Sequence, residues 1–123
     1  MKYLFNFLKI LLAVFLIYGG ANHFYKPEFY NGFIPDLLPE LLVNYISGII
    51  ELVLGIGLLI KKFSKKSAYG IVLLMVLFMP IHIWDAFKES PAIGSKLAAY
   101  IRIIVQILFI LWPWFIYKKI NKK

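Results

Sequence analysis

An all-α bundle of four membrane-spanning helices follows from three features of this sequence. First, 62% of the 123 residues are hydrophobic, and a mean hydropathy of +0.80 exceeds what the core of one small soluble domain can hide. Second, four mostly apolar runs, at residues 4–21, 41–60, 68–84 and 97–117, are each long enough as helix to cross about 30 Å of hydrocarbon. Their apolar residues follow one another without the alternation of membrane β-strands, which argues against a barrel. Third, the charges are sorted by connection. Lys2, Lys9, KKFSKK (61–66) and KKINKK (118–123) contain cations and no acid, whereas both other connections mix Lys with Asp and Glu.

That sorting decides how the net charge of +8 is read. A basic patch for nucleic acid would gather on one face; here the cations flank apolar runs, so no nucleic-acid partner is expected and the lipid bilayer is. The positive-inside rule places both termini and KKFSKK in the cytoplasm, with two helical hairpins opening outward. Cysteine is absent, which excludes disulfides, thiolate nucleophiles and thiolate-held metal or iron–sulfur centres.

The first run, with its Lys, short apolar core and GGA (19–21), also has the outline of a signal peptide. Lys9 interrupts that core, and Phe24 and Tyr25 fit an interfacial belt, so a retained helix is expected. The connection at 22–40 carries Pro27, Pro35 and Pro39, which preclude one continuous helix. Its Phe24, Tyr25, Phe29, Tyr30 and Phe33 are too apolar for a solvated loop, so it should lie along the interface or dip back over the bundle.

The second run holds a carboxylate, Glu51, ten residues before Lys61, hence about 15 Å from the basic end and near the bilayer midplane. Insertion of that acid costs roughly 2.5–3.5 kcal/mol, while the Leu, Ile and Val of the same run return roughly 4–8 kcal/mol. Ser47, Glu51 and Gly55 share a helix face that should turn inward. The third run contains Pro80, which frees the carbonyl of Val76, and His82 and Asp85 follow within a turn. Asp85 reads as a solvated helix end, or as the group that fixes the His82 tautomer. In the fourth run Arg102 and Gln106 share a face, with Gln106 nearly level with Glu51; Trp112, Trp114 and Tyr117 form a belt ahead of the Lys tail.

Together these place a candidate polar site in the outer half of the bundle, built from His23, Glu51, His82, Asp85, Arg102 and Gln106. Two structural readings stand beside it. Glu51 paired with Arg102 or Gln106 serves as glue between helices, and Arg102 snorkels to headgroups. Two membrane histidines, His23 and His82, with no further motif are a poor basis for a haem, and no metal or catalytic set is assigned.

The stretches GANHFYKPEFY (20–30), IPDLLP (34–39), YISGIIELVLGIGLLI (45–60), PIHIWD (80–85) and IRIIVQILFILWPW (101–114) resemble the DoxX-like family of small four-helix bacterial membrane proteins. The resemblance covers nearly the whole chain in order. It implies a single transmembrane domain in the bacterial plasma membrane and an accessory or ligand-binding role beside a membrane oxidoreductase, with a quinone as a possible ligand. An assembly factor is the alternative it implies. It carries over the polar positions His23, Pro27, Glu51, Pro80, Arg102 and Gln106. The resemblance implies PAN where this chain has PIH, and Arg-Leu-Pro where it has Arg102-Ile103-Ile104; the first of these departures takes His82 outside the implied pattern.

Overall fold

The structure, a computed structural model, describes residues 2–89 and 91–121, with backbone only for Phe29 and Asn121. Lys122 and Lys123 of the basic tail lie outside the described residues. The chain is all-α: α1 (Lys2–Tyr25), a one-turn α2 (Glu28–Asn31), α3 (Glu40–Leu59), α4 (Ser64–Ala86) and α5 (Lys96–Asn121). The four long helices are each long and apolar enough to cross a membrane.

Local chemistry sets where each helix stops, and most extend past the apolar runs. α1 continues through Asn22 and His23 because nothing breaks it until Pro27, which disfavours helix at the residue before it. Pro39 is extended and stands at the head of α3, whose first residue, Glu40, suits the positive end of the helix dipole. Ser64 donates its Oγ–H to the carbonyls of Leu58 (2.7 Å) and Ile60 (3.0 Å), so α4 begins by closing the end of α3. Gly94, with φ +123°, makes the turn before α5, and the Ser95 hydroxyl then accepts from the Ala98 N–H. Pro80 and Pro113 sit within α4 and α5, which run on through them.

The long helices pack chiefly as two pairs. α1 lies chiefly against α3 and α4 against α5; α3 meets α4 less extensively, and α1 meets α5 only sparsely. The α1–α3 approach depends on glycine. A methyl group at Gly20 would fall 2.8 Å from the Gly48 carbonyl oxygen, and one at Gly48 would fall 2.9 Å from the Gly20 oxygen.

The dry core, centred on Leu12, Leu58, Ile71 and Ile116, occupies the half of the bundle nearer the α3–α4 turn. Trp112 belongs to this half: its indole N–H reaches the Leu8 carbonyl at 3.1 Å, so it ties α5 to α1, whereas Trp114 and Tyr117 stack near the helix end. Outside, Val53, Leu73, Leu77 and Leu108 are exposed, as lipid-facing side chains are. At the opposite end the two longer connections meet. Lys88 donates to the Gly32 carbonyl at 2.9 Å, and Phe33 packs edge-on to His82.

Candidate functional site

Above the dry core, between the α1–α3 and α4–α5 pairs, lies a cavity of about 490 Å³. Four of the six residues expected at the site line it: His23 from α1, Glu51 from α3, His82 from α4 and Arg102 from α5. Phe15, Phe33, Phe78 and Phe109 supply much of the remaining wall.

Glu51 is paired across the bundle with His23, whose Nε2 stands 2.7 Å from the Glu51 Oε2. Among the described residues no ion pair joins Glu51 to Arg102 and no hydrogen bond joins it to Gln106, in contrast to the sequence expectation. The reason is packing: the face of α3 that carries Glu51 is the face pressed against α1. The carboxylate lies so close to α1 that a methyl at Gly19 would sit 2.8 Å from its Oε1.

The other nitrogen of the ring, Nδ1, meets the Asn44 Oδ1 at 2.9 Å. Asn44 is fully buried, and its NH₂ faces the carbonyl oxygens of Glu40 (3.1 Å), Pro27 (3.4 Å) and the Asn31 side chain (2.9 Å). Backbone carbonyls only accept, so the Asn44 oxygen must point at the ring, and His23 Nδ1–H must donate to it. At 2.7 Å a bare nitrogen lone pair would repel the carboxylate oxygen, so one proton lies between His23 Nε2 and Glu51 Oε2. Whether the couple is imidazolium with carboxylate or imidazole with carboxylic acid, its net charge is zero.

Tyr30 stacks flat on the His23 ring, centroids 3.8 Å apart, and its hydroxyl donates to the Gly19 carbonyl. Burial pushes the Tyr30 phenol above its ordinary value, with the Asn22 amide bond opposing, so a neutral hydroxyl faces the cavity. Thus the aromatic connection dips back and roofs the polar pair. With both ring nitrogens engaged by protein, His23 offers no lone pair to a haem iron, and among the described residues no three His, Asp or Glu form a metal-holding group.

The opposite wall is differently furnished. Arg102 reaches along α5 to lie 6.0 Å over the Phe109 ring, away from the near helix end, so it does not snorkel out of the bundle. Its Nη1 and the His82 Nδ1 are buried atoms with no hydrogen-bond partner among the described residues.

Asp85 and Gln106 are not among the cavity-lining residues. Asp85 is only 1% exposed; its Oδ1 accepts from the Ala92 N–H at 2.7 Å and lies 3.4 Å from Lys88 Nζ, which corrects its reading as a solvated helix end. It pins the α4–α5 connection, and among the described residues no hydrogen bond joins it to His82. Gln106 is also fully buried, but its NH₂ donates to the Met75 carbonyl at 2.7 Å, because α5 turns that face to α4.

Asn44 and Tyr30 are functional neighbours that the sequence reading missed. Asn44 is seven residues before Glu51, on the same helix face, a spacing that could have found it. Tyr30 reaches the site through a proline-rich connection, where no periodicity places a side chain.

A family model described as a domain of unknown function, DUF8561, matches residues 12–117, which takes in every residue of this site. No curated protein and no solved structure matches the chain.

Proposed function

We propose that this chain, which belongs to the DUF8561 family of domains of unknown function, is a membrane-embedded binding protein that holds the polar head of a quinone- or lipid-like molecule. One observation carries this reading: a single cavity has a hydrogen-bonded acid–base couple on one wall and two unpartnered buried nitrogens on the other, with phenyl rings between them. Its volume falls in the range of small-molecule sites, and a few convergent polar groups in an apolar lining are what such sites use for orientation.

The DoxX-like resemblance supports placing the protein beside a membrane oxidoreductase as an accessory component of the bacterial plasma membrane. The sorted lysines support cytoplasmic termini, with the cavity toward the outer leaflet. A second reading, an assembly factor with a purely structural polar core, is favoured by the closed network of His23, Asn44, Asn31 and Glu51. It leaves the nitrogens of Arg102 and His82 without a role.

Glu51→Gln and Arg102→Met separate the two. If the cavity binds, both variants fold, and the lipid or quinone that co-purifies, measured by mass spectrometry of extracts, falls several-fold in Arg102→Met. If the core is only structural, the extracted molecules stay unchanged in both variants while Glu51→Gln lowers the thermal stability.

A further inference from the structure

We infer that the cavity selects an amphiphile whose head is an oxyanion and whose tail leaves the bundle between α1 and α5. This rests on the reading of the cavity as a binding site and adds the charge of what it binds.

Every helix around the cavity contributes a charged or titratable group. From α1 and α3, His23 and Glu51 form a couple of zero net charge. From the connection, Tyr30 is a neutral hydroxyl. From α4, Asp85 is held by Lys88 and the Ala92 N–H, outside the cavity lining. Arg102 remains as a guanidinium, a group that stays protonated in proteins. Among the described residues no carboxylate lies within 4.0 Å of it, and its guanidinium lies over the face of Phe109. The lining therefore carries one uncompensated positive charge in a largely apolar setting, where a counter-charge is worth far more than at a water-exposed surface.

Hydrogen bonding points the same way. Arg102 Nη1 donates, and His82 Nδ1 can present an N–H, so two buried nitrogens from neighbouring helices stand ready for acceptor oxygens. A neutral carbonyl would satisfy a donor without balancing the charge; an oxyanion does both. The least packed seam between the long helices is where the tail would leave. α1 and α5 touch sparsely, and at that seam Phe15 lines the cavity while being 48% exposed on the bundle surface, edge-on to Phe109.

The test uses the full chain in a neutral maltoside detergent, with native mass spectrometry counting bound dodecanoate, dodecyl phosphate, dodecanol and a decyl-substituted benzoquinone, each offered alone. Dodecanoate or dodecyl phosphate should bind at least about tenfold more tightly than dodecanol and the quinone, the scale expected for a charge-assisted hydrogen bond. Which of the two is preferred identifies a carboxylate or a phosphate head. Arg102→Met should abolish the preference, Arg102→Lys should keep part of it, and Lys26→Gln, which removes an exposed cation at the same end, should leave it intact. Equal binding of dodecanol or the quinone, or a preference that survives Arg102→Met, overturns the anion inference and leaves the binding reading standing. Failure of all four probes to bind the wild-type chain overturns both.

Discussion

A carboxylate in the middle of an apolar helix needs a proton or a partner, and here α1 brings both in one ring. Asn44 orients that ring by holding Nδ1–H, so Nε2 has only Glu51 to face. Removing one member of such a couple strands the other in low dielectric, whereas removing both leaves an apolar contact and one unpaired oxygen on Asn44. His23→Leu alone should thus cost about 3–5 kcal/mol. The double variant His23→Leu/Glu51→Leu should cost clearly less than the sum of the two single changes, measured as a cycle of unfolding free energies in detergent. Additive costs would show that the two side chains act independently. The same residues mark how far sequence reading reaches. Insertion energetics and spacing say that Glu51 must be satisfied inside the bundle; they do not say by whom. Arg102 and Gln106 had suitable height, but they stand on a helix that packs elsewhere.

At the scale of helices, small residues decided the partner. Gly20 and Gly48 let α1 and α3 approach until backbone meets backbone, which turns the Glu51 face toward His23 and away from α5. A side chain at Gly48 would collide with Phe24 at 2.7 Å as well as with the α1 backbone. Gly48→Leu is therefore expected to destabilise by about 1–3 kcal/mol, as overpacking does, and to weaken the His23–Glu51 bond by moving the helices apart. The readout is the melting temperature together with the imidazole nitrogen NMR shift of His23. An unchanged shift would mean that the couple does not depend on this approach. The break between α1 and α3 was legible from the prolines of the connection, but the apolar runs stop short of the ends of α1 at Tyr25 and of α5 at Asn121. The extension of α4 back to Ser64 was not legible, because it depends on carbonyls at the end of α3 that only the folded turn brings within reach.

For the molecule as a whole, one half of the bundle is dry and tightly filled, and the other holds a cavity roofed by the two longer connections. The division gives the protein a direction, and the lysine distribution supports the orientation in the bilayer. Single cysteines at Lys62 and Glu89, both exposed positions on opposite ends of α4, should react with a membrane-impermeant maleimide from opposite sides of sealed vesicles. Reaction from the same side would contradict two outward-opening hairpins.

Composition and run length by themselves determined that this chain is helical and suited to lipid, because hydrocarbon demands internally bonded backbone over a set length wherever the helices end up. The pairing of the polar residues within the site was decided by tertiary structure. Which faces meet depends on how closely two helices approach, and the proline-rich connection has no periodicity from which the position of Tyr30 over His23 could be read. For this reason Glu51 found an imidazole, Asp85 a backbone amide and Gln106 a carbonyl, while the charge of Arg102 was left facing the cavity.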